Sequence, residues 1–131
     1  MKIVLAALLG LAVTAMPAAA KCKKPDLKGN WEFYGQVVYS DVNAWMACSM
    51  KVDKKGKISN KSSCAISIGA TAKITSGKLK ISKTCGVTGS FKSSDGATFD
   101  IEKAQMNVDK MSVQGAGQSY YGAFLFSSVK K

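Results

Sequence analysis

The chain contains no histidine and no arginine. Without histidine it lacks the side chain most often used as general base and metal ligand near neutral pH. A cysteine nucleophile normally takes a histidine partner, so thiol catalysis is lost with it. Without arginine there is no planar fork to hold a phosphate or carboxylate through two parallel hydrogen bonds. After residue 20, no apolar run approaches the roughly 18 residues of a spanning helix, and no segment shows helical periodicity. Phosphate-loop, dinucleotide and calcium-loop patterns are absent, so no cofactor is implied.

What is present begins with a leader. Lys2 precedes an apolar run over residues 3–16, then Pro17-Ala18-Ala19-Ala20. This is the layout of a secretory signal peptide, bacterial in style, cleaved after Ala20. Lipid attachment at Cys22 is set aside because Lys21 stands where a small residue is required. Residues 21–131 are then one secreted or periplasmic domain, of a size that buries about two thirds of its chain surface. Cys22, Cys48, Cys64 and Cys85 all fall in it. An even count in an exported chain reads as two disulfides, and no two cysteines are close enough for a zinc ribbon. If Val52 pairs with Ile58 across the Asp53-Lys54-Lys55-Gly56 turn, Cys48 faces Ser62. Cys64 then lies one pair further on, within reach of a small bulge. That favours Cys48–Cys64 and leaves Cys22–Cys85.

Short alternating runs separated by turn residues fill the domain. Trp31, Phe33, Gly35, Val37 and Tyr39 share one face. So do Ala44, Met46, Cys48, Met50 and Val52, then Ile58, Cys64, Ile66 and Ile68, then Ala70, Ala72 and Ile74. Ser76-Gly77 reads as a tight turn. Beyond it Leu79 and Ile81 point inward, and Cys85, Val87, Gly89 and Phe91 continue that parity. Residues 93–96 form another turn, after which Phe99 and Ile101 face in. Met106 and Val108 lead to Asp109-Lys110, followed by Met111 and Val113. Gly115-Ala116-Gly117 reads as a flexible connection, and residues 120–129 as a final strand. About eight strands joined by short turns predict an all-β fold, a small antiparallel up-and-down barrel whose closure removes exposed edges. A two-sheet sandwich is the alternative.

Asp100 and Glu102 share the face opposite Phe99 and Ile101, which makes them a solvated outer surface rather than an acid–base pair. The Ser127–Lys130 and Ser128–Lys131 spacings sit at the end of a serine- and lysine-rich chain and read as chance. Met46, Cys48 and Met50 form a soft-ligand set suited to Cu(I), but an oxidised Cys48 offers no thiolate, and flexible methionines fill irregular cores. The expectation is a non-catalytic binding protein without a metal.

Nineteen lysines against eight acidic residues give a formal net charge of +11, a field that attracts anions. Lys51, Lys54, Lys55, Lys57 and Lys61 cluster around one hairpin and point to an anionic surface polymer or lipid headgroup outside the cell. Hairpin lysines also serve as edge protection. The competing reading is a small apolar ligand inside the barrel, with Phe33, Met46, Met50, Phe91, Phe99 and Phe124 as walls. The same six fill a closed core if there is no cavity. Nucleic acid is disfavoured. Tyr34, Tyr39, Trp45, Tyr120 and Tyr121 offer stacking surfaces, but export and the missing arginine weigh against it. A secreted inhibitor or interaction protein acting on a macromolecular partner is a further alternative. The Asn60-Lys61-Ser62 sequon is set aside because the leader is bacterial in style.

Leu27-Lys28-Gly29-Asn30-Trp31 places a Gly-x-Trp at the start of the first strand. With the short-turned meander that follows, this resembles the calycin group of barrels, the lipocalins and avidins. The resemblance implies a closed antiparallel barrel, with Trp31 plugging one end and a ligand cavity towards the other. The tryptophans lining an avidin pocket have no counterparts here. Residues 115–121 resemble the inserting loop of one family of bacterial lysozyme inhibitors. A basic inhibitor docking on a basic lysozyme would meet a like-charge cost of roughly several kcal/mol.

Overall fold

A closed ring gives every strand a partner on both sides, which spares a β protein its aggregation-prone edges. The computed structural model describes residues 21–39, 42–67 and 71–131. Residues 1–20, read above as a leader, lie outside these, as do Ile68 and Ala70. A short 3-10 turn (Lys24–Leu27) leads into β1 (Gly29–Tyr39), β2 (Val42–Val52), β3 (Ser63–Ile66) and β4 (Ala72–Ile81). There follow β5 (Gly86–Ser93), β6 (Thr98–Met106), β7 (Ser112–Ser119) and β8 (Gly122–Lys130). Successive strands are antiparallel, and β8 returns to pair with β1, so the fold is a closed eight-strand barrel rather than a sandwich.

Strand alternation decides what is inside. Trp31, Phe33 and Val37 from β1, and Ala44, Met46, Cys48, Met50 and Val52 from β2, are all buried. Asp100 and Glu102 are exposed while Phe99 and Ile101 are buried, as their parity requires. Trp31 closes one end. Its indole N–H donates to the Leu27 carbonyl at 2.8 Å, and the Lys130 ammonium sits 4.9 Å from the ring centroid. Lys130 also donates to the Asp26 carbonyl, so it is occupied structurally.

Both disulfides form, Cys22–Cys85 and Cys48–Cys64. Val52 does bridge to Ile58. The chain then takes an extra turn, closed by the Ser62 amide donating to the Ser59 carbonyl. That turn brings Cys64 directly opposite Cys48, so no diagonal offset has to be spanned. Stable disulfides belong to an oxidising, extracellular-type environment. No helix among the described residues is long and apolar enough to cross a membrane.

Five expectations need correction. Ser76-Gly77 is not a turn: both residues lie within β4, and a bulge between Ile74 and Ser76 absorbs the irregularity. The turn comes at residues 82–85, so Ile81 and Val87 are facing partners rather than one continuous strand. Leu79 and Ile81 are half-buried, packed against the core rather than in it. Gly115-Ala116-Gly117 is not a flexible link but the middle of β7. An added Cβ at Gly117 would lie 2.1 Å from the Asp100 carbonyl oxygen. Glycine is there to let β6 and β7 approach, and no inserting loop exists at this place. Finally, Val108 and Met111 are exposed because they flank the Asp109-Lys110 turn.

Candidate functional site

The site begins where the barrel wall is thinnest. β3 has four residues, and only Ser63 and Cys64 register with β4. Below β3 the gap between β2 and β4 is filled by residues 53–61. Asp53 shapes this segment: its carboxylate accepts from the Lys55 amide at 2.8 Å and the Lys57 amide at 2.9 Å. The Lys57 amide chiefly, with Lys55 adding, holds that carboxyl below its ordinary value against a smaller opposing effect of desolvation. Two backbone bonds lash the segment to β4, from the Ile58 amide to the Gly77 carbonyl and from the Leu79 amide to the Gly56 carbonyl. Gly56 has φ +81°, and a Cβ there would stand 2.2 Å from the Leu79 carbonyl oxygen. Only glycine allows this close lashing.

The result is an open groove of about 1190 Å³ on the outer wall. All five hairpin lysines singled out in the sequence line it: Lys51, Lys54, Lys55, Lys57 and Lys61. Lys28, Lys78 and Lys92 join them from the residue just before β1 and from β4 and β5. Lys57 and Lys78 sit opposite each other in an isolated bridge. Ser59, Asn60, Thr75, Ser76 and Ser90 add polar groups, and Asp53 is the single carboxylate in the lining. The ion pairs among the described residues, Lys110–Asp26 and Lys131–Glu32, lie elsewhere. Sequence reasoning missed Lys28, Lys78 and Lys92 because three separate elements bring them in. The outward parity of Lys78 was the one available signal.

The six wall candidates do converge inside the barrel. Phe33, Met46, Met50, Phe91, Phe99 and Phe124 are each no more than 5% exposed. Their rings close on one another, Phe91 stacking on Phe99 at 4.8 Å and Phe33 on Phe126 at 4.4 Å. Phe126 was missed, although it shares the parity of Phe124. At the end away from Trp31, the Tyr121 hydroxyl donates to Asp95 at 2.8 Å, and Ser93 donates to the same carboxylate. The Ser93 bond chiefly lowers the Asp95 pKa, and the Asp95 bond raises that of Tyr121.

Among the stacking candidates, Tyr34 and Trp45 are exposed on β1 and β2 but do not line the groove. Met46 and Met50 flank a disulfide sulfur, not a thiolate. Among the described residues no cluster of three or more acidic, histidine or cysteine side chains is arranged to hold a metal.

No family model and no curated protein matches this chain. Solved structures do resemble it. A de novo designed fluorescence-activating β-barrel superposes with a TM-score of 0.64 at 18% identity, covering 79% of this chain and 93% of the designed one. A redesigned β-barrel superposes with a TM-score of 0.57 at 10% identity, covering 82% and 93%. At these identities the likeness concerns the fold, a small eight-strand barrel with which the calycin resemblance is coarsely consistent.

Proposed function

We propose that this is an exported, non-catalytic binding protein that grips an anionic polymer of the cell envelope in the lysine groove. One observation carries the reading: eight lysines line a single groove, and no ion pair among the described residues involves any of them. Like charges facing each other across strands, as at Lys57 and Lys78, cost stability. An anionic chain lying between them turns that repulsion into attraction. Lysine without arginine suits such a ligand, because point charges on flexible stems follow a chain of single anions without a fixed fork geometry. A groove accommodates a chain, whereas a flat layer of lipid headgroups meets only its rims. The absence of catalysis is supported by the lining itself, whose one carboxylate is taken up by backbone amides.

The test is binding of a labelled poly(glycerol phosphate) from about 50 to about 500 mM salt. With five or so lysines engaged, and taking roughly 0.7 per charge, the log–log salt slope is about −3 to −4. Lys57→Glu with Lys78→Glu weakens binding and flattens the slope. Absent binding, or binding indifferent to salt, contradicts the reading. Vesicles rich in phosphatidylglycerol, run in parallel, separate a membrane surface from a chain.

A second reading, a small apolar ligand within the barrel, draws on the aromatic lining of Phe99, Phe124 and Tyr121 and on the fluorescence-activating character of the designed barrel. Such a ligand raises the melting temperature with little dependence on salt. It has to part rings that touch one another, so the groove is the reading preferred.

A further inference from the structure

The bulge in β4 decides which side chains reach the groove from that strand. Ala72 and Ile74 point into the barrel. Continued without a break, the same parity would carry Ser76, Lys78 and Lys80 inward as well. The extra residue between Ile74 and Ser76 reverses it, because a slip of one residue turns every later side chain to the other face. Ser76, Lys78 and Lys80 are accordingly exposed. Gly77 takes the inward position, where a Cβ would stand 2.7 Å from the Phe91 Cβ and 2.8 Å from the Ile58 Cδ1. Thr75, the inserted residue, spends its hydroxyl on the Lys92 carbonyl at 3.3 Å.

The register beyond the bulge sets four groove side chains in a square. Lys78 faces Ser90, and Ser76 faces Lys92. The two lysines occupy one diagonal and the two serines the other. Facing pairs stand roughly 5 Å apart at Cβ, and diagonal ones roughly 7–8 Å. Among the described residues neither lysine is ion-paired, and neither serine hydroxyl is bonded to another group of the chain. Lys57 adjoins the square beside Lys78. Asp100, exposed opposite Ser90 on β6, marks where it stops, since an anion carried further round meets a carboxylate. Phe91, the aromatic residue of the lining, is only 1% exposed. Neither a nucleic-acid base nor a sugar ring finds a face to stack on.

Taking the groove as the anion-binding site, on which this rests, we infer that the Ser76–Lys78–Ser90–Lys92 square is a phosphodiester subsite. The polymer it selects is a linear polyol phosphate rather than a polycarboxylate. The square offers donors along two crossed diagonals, ammonium on one and hydroxyl on the other. A carboxylate accepts chiefly in its own plane, so it aligns with one diagonal and leaves the other unmet. Phosphoryl oxygens, tetrahedral about phosphorus and strong acceptors, meet both. A serine hydroxyl also accepts, so a neighbouring alcohol of the polyol chain finds a partner in the same two residues. The lysines supply attraction to any polyanion, and the serines supply the choice among them.

Competition against labelled poly(glycerol phosphate) on the oxidised protein tests this, with unlabelled poly(glycerol phosphate) and poly-L-glutamate of equal charge number as competitors at about 100 mM salt. The phosphodiester polymer is expected to displace the label at about tenfold lower concentration, the worth of two hydroxyl hydrogen bonds. Ser76→Ala with Ser90→Ala removes that preference, leaving polyglutamate affinity within about twofold. The salt slope stays as it was, because no charge is lost. Ser76→Thr with Ser90→Thr, which keeps both hydroxyls, retains the preference. Both serines are exposed, so the thermal midpoint of each variant stays within roughly two degrees. Equal affinity for the two polymers overturns the subsite and leaves the groove standing, as does a serine-to-alanine pair that weakens both alike. Binding of neither polymer overturns both. Phosphatidylglycerol vesicles that displace the label as well as the polymer does, phosphate for phosphate, assign the phosphodiester to a membrane and overturn the polyol phosphate.

Discussion

The two sides of this barrel are built differently. On one, β7, β8, β1 and β2 run side by side in long uninterrupted ladders, β1 registering with β2 along its whole length. That side carries no charge over the three rows Gln114–Ser127–Tyr34–Ala47, Ala116–Leu125–Gln36–Trp45 and Gln118–Ala123–Val38–Asn43. On the other, β3 is a four-residue strand, β4 is bulged, and a lashed loop stands in for the missing ladder. There the lysines gather. Where ladders are complete, backbone bonding carries the wall and the outer face is free for shape and apolar contact. Where they are incomplete, a disulfide, a glycine and a few loop hydrogen bonds hold the seam, and the irregular backbone opens a groove that a regular sheet lacks.

Breaking the covalent ties is the strongest way to test this contrast. Cys22→Ser with Cys85→Ser opens a link across 63 residues, and the chain-entropy account puts the loss at about 4 kcal/mol. Cys48→Ser with Cys64→Ser opens one across 16, for about 3 kcal/mol. Denaturant unfolding measures both. Only the second speeds amide exchange in β3 and residues 53–61 ahead of β1 and β8. Gly56→Ala comes next. It sets a side chain at positive φ against the Leu79 carbonyl and costs about 2–3 kcal/mol. Groove binding falls with it, while the thermal transition of the remaining barrel stays cooperative.

Charge changes are smaller and opposite in sign. Lys78→Glu relieves the repulsion with Lys57 and stabilises the fold by about 0.2–1 kcal/mol, read as a higher thermal midpoint, yet it weakens anion binding. A residue kept for stability alone would not show that opposition. The smallest effect is on pH. Asp26 is held below its ordinary value chiefly by the Lys110 ammonium, Glu32 by Lys131, and Asp95 by Ser93. A carboxylate depressed in the folded state contributes stability that is present above its unfolded pKa and lost as pH falls through the folded one. Midpoints therefore drop on acidification below about pH 4. Asp95→Asn reduces that drop, whereas Lys54→Ala in the groove does not.

Strand alternation made the barrel legible. The parity from Trp31 to Val52 placed every buried side chain among the described residues of two strands, and the count of eight followed from turn residues. Glycine misled twice. Gly77 and Gly115–Gly117 look like punctuation in a sequence, but glycine serves a close strand approach as readily as a turn, and the two differ only in what stands opposite. The hairpin half of the groove was visible because its lysines are neighbours in sequence. Lys28, Lys78 and Lys92 were not, since β3's shortness is what brings β4 and β5 beside that hairpin. The uncharged face was hidden for the same reason: its rows exist only once β8 has closed on β1.

The most direct test of this division is a two-dimensional amide NMR titration of the oxidised protein with poly(glycerol phosphate). The account predicts saturable shifts confined to residues 51–61, 75–78 and 90–92, with β7, β8 and β1 silent. Shifts centred on Tyr34, Trp45 and Leu125, or on the interior phenylalanines, would contradict it.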